Sequence, residues 1–244
     1  MSLWSRIRAD ILFARERDPA AANIAEILLA YPGVHAMLLH RLAHLLCHWK
    51  IPVIPRLISH FNRALTGIEI HPGAEIASPC FIDHGMGVVI GETAILGKRC
   101  HLHQGVTLGG TSTRREKRHP TLRDDVTVGA GAQIIGAIVV GRGAKIGAGS
   151  VVVANVPDFA TVVGVPGHVV AYYDPGNDTI LRLPDPEHDR IQELEKRVQS
   201  LEDSVQPELP AVTRSRPDAS PLEDPGAESP TPLQRPESPL RRSE

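Results

Sequence analysis

The chain has 244 residues, enough for one large domain or two small ones, and its charges nearly cancel at a net −2. This balance excludes the strongly basic surface of a typical nucleic-acid-binding protein, and no apolar run approaches the roughly 20 residues that a membrane-spanning helix needs. Aromatic residues make up only 4% of the chain, whereas glycine and proline number 21 each, which is typical of a structure with many tight turns.

The cysteines and the start of the chain predict a cytoplasmic location. Cys47, Cys80 and Cys100 are odd in number and have no paired spacing, so no disulfide framework is indicated. Charged residues recur through positions 1–17, where a secretory signal would need a continuous apolar run. We therefore expect a protein of the reducing cytoplasm, without a membrane or nucleic-acid partner.

Residues 1–66 predict a small α-helical domain. One helix is expected to begin with Asp18 as its N-cap and Pro19 as its first residue, and to stop at Tyr31-Pro32-Gly33. A second helix follows, and a third segment covers residues 52–64. The second helix has an apolar stripe at helical spacing, formed by Leu38, Leu42, Leu45 and Trp49.

The opposite face of the second helix carries three histidines at a spacing of four residues, His40, His44 and His48, with Cys47 beside them. Histidines at this spacing can bind zinc. No carboxylate supports the set, so a polar helix face is the favoured interpretation and a metal site is not expected here.

From residue 67 to 172 the pattern changes to an aliphatic residue at every sixth position. This period matches neither the 3.6 residues per turn of an α-helix nor the two-residue repeat of an ordinary strand. It is typical of a hexapeptide β-helix, in which short strands stack coil on coil with the aliphatic residues inward. The repeat positions are Ile70, Ile76, Ile82, Ile90, Leu96, Leu102, Leu108, Val128, Ile134, Val140, Ile146 and Val152.

The repeat is interrupted twice, and both interruptions predict functional sites. The first is a two-residue slip between Ile82 and Ile90, and it contains His84. The second, residues 109–122, is too polar and too basic for the wall of a β-helix, so we expect an extruded loop. Loops on rigid scaffolds are where function concentrates.

His84 is the strongest catalytic candidate. A neutral imidazole is suited to taking a proton from a hydroxyl near pH 7, and a carboxylate would fix its tautomer and stabilise the imidazolium. Asp83 is adjacent, and Glu69 precedes His84 by 15 residues, close to the roughly 18 residues of one coil of three hexapeptides. An idle, solvated histidine at a corner is the alternative that the spacing leaves open.

Several segments resemble the serine O-acetyltransferases of the hexapeptide-repeat superfamily, in order over residues 14–170. They are IEIHPGAEI, IDHGMGVVIGETA, GVTLGGT, KRHP, GAGAQIIG, VGRGAKIGAGSVV and VVGVPG. The resemblance implies a mainly β fold, a left-handed parallel β-helix preceded by a helical domain, with active sites between subunits of a trimer or a dimer of trimers. It also implies transfer of an acetyl group from acetyl-CoA to the hydroxyl of L-serine, which gives O-acetylserine for cysteine biosynthesis.

Carried over by motif position, the resemblance assigns His84 as the general base and Glu69 as its carboxylate partner. Asp18 and Asp83 match residues that contact the serine ammonium, although an N-cap role would also explain Asp18. The remaining matches are Arg118 for the serine carboxylate, His119 as a second substrate histidine, and Gly110, Ala130 and Lys145 along the CoA-binding edge.

We expect direct transfer in a ternary complex, with acetyl-CoA as co-substrate and no metal. A covalent acetyl-enzyme would need a cysteine beside a base. Cys80 and Cys100 instead occupy small corner positions of the repeat, where packing explains them. Zinc held by His101 and His103 is a rival interpretation, disfavoured because the two residues should alternate along a strand with only one facing a shared cleft.

Two further alternatives differ in function. The acceptor could be homoserine or a sugar hydroxyl instead of serine. A non-catalytic trimeric scaffold whose tail recruits partners is also compatible with the repeat, although the set of His84, Glu69 and Arg118 argues against it.

The C-terminal region departs from the family resemblance. Residues 173–204 predict a linker and a short coiled-coil helix, and the Pro-rich residues 205–244 predict disorder. The helical domain is short for the family, which favours a lone homotrimer, clamped by that helix, over a dimer of trimers. The chain ends in Glu244 instead of the isoleucine that docks into O-acetylserine sulfhydrylase, which argues against that complex. The seam of the coiled coil would be Ile191, Leu194, Val198 and Leu201.

Overall fold

The computed structural model describes residues 2–183 and 186–205. These residues form two compact units, one extending to Pro186 and one beginning at Glu187. The predicted disordered tail lies outside the described residues from position 206 onward, as does the C-terminus considered for sulfhydrylase docking. The first unit begins with four helices, α1 (Leu3–Arg17), α2 (Ile24–Ala30), α3 (Pro32–His48) and α4 (Ile54–Thr66).

The connection between α1 and α2 differs from the prediction at Asp18. Asp18 is the C-cap of α1, and α2 begins later, with Asn23 as an N-cap that accepts a hydrogen bond from the Glu26 amide at 2.9 Å. Asparagine caps a helix as well as aspartate does, and the Glu26 carboxylate accepts a further bond from the Ala22 amide at 3.2 Å. The Asp18 carboxylate is therefore released from capping a helix N-terminus.

The buried face of α3 is not the predicted leucine stripe. Leu42 and Trp49 are exposed, whereas Met37, His40 and Arg41 are buried. The predicted polar face of histidines is thus turned partly into the protein, and burial lowers the pKa of His40 to about 3. Arg41 and His44 on this helix bond backbone carbonyls of the β-helix, those of Ala77 at 3.3 Å and Pro72 at 2.9 Å.

A buried ion pair fastens the helices to the β-helix. Arg41 of α3 and Asp10 of α1 lie 3.1 Å apart, and both side chains are 5% exposed. Asp10 also accepts hydrogen bonds from the Ser78 hydroxyl at 2.8 Å and the Cys80 amide at 2.9 Å. Arg41 donates to the carbonyl of Ile76. Burial raises the pKa of Asp10, while Arg41 and the two hydrogen bonds oppose that rise.

Helix α4 is amphipathic with its polar face inward. Ser59 donates a hydrogen bond to the Ile70 carbonyl at 2.6 Å, and Asn62 donates one to the Ala36 carbonyl at 3.1 Å. The opposite face is an apolar stripe with side chains between 50% and 61% exposed. This stripe, which we call the α4 stripe, consists of Ile54, Leu57, Phe61 and Leu65.

The following residues form a parallel β-helix with three faces, as the six-residue period predicts. Sheet A has five strands: β1 (Glu69–Ile70), β4 (Val89–Ile90), β7 (Thr107–Gly109), β10 (Gln133–Ile135) and β13 (Val151–Val152). Sheet B contains β2 (Glu75–Ile76), β5 (Ile95–Leu96), β8 (Thr121–Leu122) and β11 (Val139–Val140). Sheet C contains β3 (Cys80–Ile82), β6 (Cys100–Leu102), β9 (Thr127–Val128), β12 (Lys145–Ile146) and β14 (Ala160–Val163).

The core of the β-helix is the predicted repeat. Every aliphatic repeat position from Ile70 to Val152 is at most 6% exposed, and these side chains form one continuous cluster. Repeat residues of successive coils pair with one another, as Ile70 does with Ile90 and Ile90 with Leu108. The prediction of inward aliphatic residues is confirmed, and the second interruption separates β7 from β8.

The end of the first unit contains a β-hairpin where the sequence predicted a linker. Strands β15 (His168–Asp174) and β16 (Thr179–Arg182) extend sheet C in antiparallel fashion. The missed signal is a tight turn in which the Asp174 carboxylate accepts a hydrogen bond from the Gly176 amide at 2.9 Å. Sheet C continues past the last repeat because β14 offers an unpaired edge.

The second unit is described by the helix α5 (Pro186–Val205). Its predicted seam is exposed along the helix, at 53% for Ile191, Leu194 and Val198 and 58% for Leu201. None of the helices in the described part of the chain combines the length and the apolar character that crossing a membrane requires.

Candidate active site

The first interruption of the repeat forms a turn that carries His84. The amide of Asp83 donates a hydrogen bond to the Leu102 carbonyl at 2.8 Å, which holds this residue to the next coil. His84 follows in a left-handed conformation with φ 57°, and its side chain is 75% exposed. The Asp83 carboxylate lies 3.9 Å from Nε2 of His84. The two extra residues therefore turn the imidazole away from the wall and toward solvent.

Asp18 reaches the same corner from the helical domain. Its carboxylate accepts hydrogen bonds from the Tyr31 hydroxyl at 2.5 Å and the Ala20 amide at 2.8 Å, and both bonds lower the pKa of Asp18. The Tyr31 ring in turn packs against Phe81 of β3, two residues before Asp83, with ring centroids 6.4 Å apart. We call Asp18, Asp83 and His84 the acidic corner.

His101 and His103 line the β-helix side of this corner. Both rings lie on one face, stacked with centroids 4.4 Å apart, and each Nε2 is 4.0 Å from Oδ2 of Asp83. The expectation that only one of them could face a cleft is wrong, because residues i and i+2 of a strand share a face. Burial, then the neighbouring His103, lowers the pKa of His101 to about 4, so this ring is neutral near pH 7.

Glu69 lies near the turn of His84 but is bound elsewhere. It begins β1 and pairs with Val89 of the next coil, just beyond that turn. Its carboxylate accepts a hydrogen bond from Arg63 of α4 at 3.0 Å. Among the described residues, Asp83 is the residue whose carboxylate lies within 4 Å of the His84 ring. The predicted contact between Glu69 and His84 is therefore not present in this arrangement.

The second interruption places Arg118 and His119 at a different corner. The hydroxyl of Thr93 accepts hydrogen bonds from the amides of both residues at 3.1 Å, which fastens the returning loop to the β-helix. Arg118 forms an ion pair with Glu92, a residue that sequence reasoning missed. This ion pair lowers the pKa of Glu92, and burial followed by Arg118 lowers the pKa of His119. We call Glu92, Thr93, Arg118 and His119 the loop corner.

Gly91 makes the close packing of the loop corner possible. A Cβ atom at Gly91 would lie 2.0 Å from the His119 ring, so any side chain would displace the histidine. The lack of a side chain at Gly91 therefore makes room for His119. The position of the loop depends on this glycine of another coil as well as on the residues of the loop itself.

Sheet A separates the two corners. Asp83 and His84 precede its strand β4, whereas Glu92 and Thr93 follow it. The loop corner is completed from the next coil by Arg118 and His119, which precede β8. Among the described residues no hydrogen bond or ion pair joins the corners, so one chain presents the predicted substrate residues as two separate groups.

The three residues predicted to contact CoA are spread over two coils. Gly110 follows β7 at the loop corner, and Ala130 lies between β9 and β10. Lys145 begins β12 with an exposed side chain. Gly110 also packs beside the loop corner, because a Cβ atom there would lie 3.1 Å from Nε2 of His119.

Comparison with known proteins gives consistent similarities. The family of bacterial transferase hexapeptide (six repeats) matches residues 119–154. The serine acetyltransferase of Synechococcus elongatus is 51% identical over 208 residues, covering 84% of each chain. That of Bacillus subtilis is 50% identical over 198 residues, covering 80% of this chain and 91% of its own.

Solved structures with the same name are similar in fold. A serine acetyltransferase from Brucella abortus matches with a TM-score of 0.67 and 40% identity over 69% of each chain. One from Neisseria gonorrhoeae, in complex with serine, matches with a TM-score of 0.67 and 41% identity over 69% of each chain. The soybean protein complexed with serine matches with a TM-score of 0.68 and 43% identity, over 69% of this chain and 70% of its own.

Proposed function

The chain belongs to the serine acetyltransferase family of acyltransferases, and we propose that it transfers acetyl from acetyl-CoA to L-serine at a site shared by neighbouring copies. The products are O-acetylserine and CoA. The observation that carries this proposal is that carboxylates lie at the acidic corner and a guanidinium lies at the loop corner, on opposite sides of sheet A. Serine has both an ammonium and a carboxylate, and a second copy could bring one corner against the other.

The acidic corner suits the ammonium group of serine. Asp18 and Asp83 are two carboxylates that approach one place from different elements, and the pKa of Asp18 is lowered by its hydrogen bonds. Asp18 is held by Tyr31, whose own pKa is raised to about 12, so the phenol remains a hydrogen-bond donor at neutral pH. An ammonium between two ionised carboxylates is the pairing expected of charge-assisted hydrogen bonds.

The loop corner suits the carboxylate of serine. Arg118 presents a guanidinium, the side chain best matched to a carboxylate in a two-bond arrangement. Its present partner, Glu92, holds the guanidinium at the surface of the corner, and a substrate carboxylate would share or replace that partner. His119 stands beside it as the second substrate histidine.

His84 would act as the general base in a direct transfer. It takes the proton of the serine hydroxyl while the hydroxyl oxygen forms a bond to the thioester carbonyl carbon. The carbon–sulfur bond then breaks, and the same proton goes to the departing thiolate of CoA. Glu69 is proposed as the supporting carboxylate, which requires it to exchange its present partner Arg63 for His84, whereas Asp83 already lies 3.9 Å from the ring. Gly110, Ala130 and Lys145 are proposed contacts of CoA.

The two cysteines of the β-helix do not suit a covalent route. Both are buried, and burial raises the pKa of the Cys80 thiol well above its ordinary value and that of Cys100 to about 12. A thiol nucleophile needs a lowered pKa or an adjacent base. This supports transfer in a ternary complex.

A substrate comparison tests the proposed function. Release of free thiol from acetyl-CoA should be fastest with L-serine and much slower with homoserine or a galactoside. Arg118→Lys should raise the KM for serine roughly 10- to 100-fold, because lysine cannot make the two-bond contact with the carboxylate. Arg115→Lys, on the same loop with an exposed side chain, is the matched control and should leave the KM unchanged. Preference for homoserine or a sugar, or no thiol release at all, would overturn the proposal.

We propose further that copies associate through the α4 stripe as a homotrimer, with a dimer of trimers as the alternative. Four apolar side chains at helical spacing form an exposed face on a helix whose polar face is already used inward. The stripe continues toward Met86, which is 68% exposed and two residues from His84. A copy that covers this stripe would therefore lie beside the acidic corner. The seam of α5 is a second proposed contact between copies.

A charge placed in the α4 stripe should separate the copies. Phe61→Asp is expected to convert the trimer to a monomer of 26.4 kDa in light scattering and to remove most acetyl transfer with it. An aspartate buried in an apolar contact carries a desolvation penalty of several kcal/mol, so association should be lost. His60→Asp adds the same charge at an exposed position of the same helix and should remain trimeric. A monomeric and fully active unaltered chain would contradict the shared site.

A further inference from the structure

Three potential metal ligands converge at the acidic corner, and two of them, His101 and His103, have no role in the proposed transfer. They are Oδ2 of Asp83 and Nε2 of His101 and His103, and the three ligand atoms lie within 4.8 Å of one another. Each histidine nitrogen is 4.0 Å from the carboxylate oxygen. A search of the described residues for three or more His, Cys, Asp or Glu side chains close enough to share a metal ion gives this group.

A hydrogen bond of the His103 ring directs the lone pair of its other nitrogen into this space. Nδ1 of His103 lies 2.9 Å from the Val128 carbonyl, and since a carbonyl only accepts, this nitrogen must carry the proton. In the neutral ring, Nε2 is then an unprotonated acceptor that faces the carboxylate of Asp83. A backbone carbonyl that fixes the tautomer in this way is the usual outer partner of a metal-binding histidine.

His101 provides a second, independent indication. The residue is 9% exposed, and its buried Nε2 has no hydrogen-bond partner among the described residues. A buried polar atom without a partner is costly, and such atoms in native structures call for an explanation. Here it is aimed at the same point as Nε2 of His103 and the Asp83 carboxylate, where a cation would satisfy all three groups.

We propose that Asp83, His101 and His103 bind a divalent transition-metal ion, with zinc as the best match. Two imidazoles and one carboxylate are a common set of three protein ligands for zinc, with a fourth position left for water or another ligand. Bonds of about 2.1 Å in a tetrahedron place ligand atoms roughly 3.4 Å apart. The present separations would close to that value through small rotations of three side chains that already point at one another.

The metal would regulate the proposed reaction by occupying Asp83. A zinc ion bound to this carboxylate neutralises it and places positive charge where the serine ammonium is proposed to bind. Zinc should therefore inhibit by competing with serine, a consequence that depends on the proposed function. Metal binding itself does not depend on it, so the two can fail separately.

The test measures metal binding by the full chain in the absence of serine. Calorimetric titration with zinc should give one site per chain, and Co²⁺ should give the visible absorption of a tetrahedral nitrogen and oxygen site. His101→Ala and His103→Ala should each weaken zinc binding roughly 100-fold or more, since loss of even an outer partner costs 10- to 100-fold. His103 is only partly buried, so its variant remains informative if the His101 variant fails to fold.

A matched double variant controls for the other histidines. Cys47→Ser combined with His48→Ala removes two of the four members of the rival set on α3, which are His40, His44, Cys47 and His48, and should leave zinc binding unchanged. Absence of binding by the unaltered chain, or its loss in the α3 variant instead of the β6 variants, would overturn the proposal. Zinc binding that does not alter the KM for serine would overturn the regulatory consequence alone.

Discussion

Replacing His84 with alanine should lower kcat/KM for acetyl transfer to serine by roughly 10²- to 10⁴-fold, the range typical of a lost general base. The imidazole is the group of the acidic corner that can take a proton from the serine hydroxyl near neutral pH. The fold should be unaffected, because this side chain is 75% exposed and makes no hydrogen bond among the described residues. Thiol release from acetyl-CoA over a range of serine concentrations measures the effect.

The control for this result is His48→Ala, which removes an exposed histidine at the end of α3. Its kcat/KM should stay within about twofold of the unaltered chain. Glu69→Gln in the same assay separates the two carboxylates considered for His84, since Asp83 remains in place. A His84→Ala variant with near-normal kcat would refute the assignment of the base.

Asp10→Ala should destabilise the fold by about 3–5 kcal/mol, the penalty for breaking a buried ion pair. The change leaves the Arg41 guanidinium buried without its carboxylate, and it also removes the acceptor of the Ser78 hydroxyl and the Cys80 amide. The raised pKa of Asp10 indicates that desolvation outweighs attraction for this carboxylate, so the pair is costly to break without being a net source of stability. Urea unfolding followed by circular dichroism measures the difference.

The control for Asp10 is an exposed ion pair that also joins α1 to another part of the first unit. Glu16 of α1 pairs with Arg99 of the β-helix at 2.7 Å, but this carboxylate is 53% exposed. Glu16→Ala should therefore cost no more than about 1 kcal/mol. Equal effects of the two substitutions would contradict the interpretation that burial makes the Asp10 pair critical.

The helical domain illustrates where local reasoning fails. Asp18 followed by Pro19 is a good helix start, yet Asn23, directly before Ile24, is an equally good cap and is the one that the folded chain uses. The apolar stripe on α3 similarly suggested a buried face. The packed structure instead buries Met37, His40 and Arg41, and Arg41 donates hydrogen bonds to carbonyl groups of the first coil of the β-helix.

In the candidate site, too, some residues could be located from the sequence and others only from the tertiary structure. His84 and Arg118 stand out because each interrupts a regular repeat, so both could be located from the sequence. Glu92 could not, since a glutamate after a repeat glycine has no distinguishing pattern until Arg118 is seen beside it. His101 and His103 were visible as a pair, but their shared face was misjudged, and their convergence on Asp83 depends on the register between β3 and β6.

The six-residue period by itself determined the β-helix, its inward aliphatic residues and the two positions where functional groups leave the wall. Those features follow from spacing along one chain, because each coil repeats the same local geometry. The tertiary structure alone decided which side chains from different coils and helices meet: Asp10 with Arg41, Arg118 with Glu92, and the histidine pair with Asp83. Such contacts join residues far apart in the sequence, so they depend on the stacking of coils and helices and leave no local periodic signal.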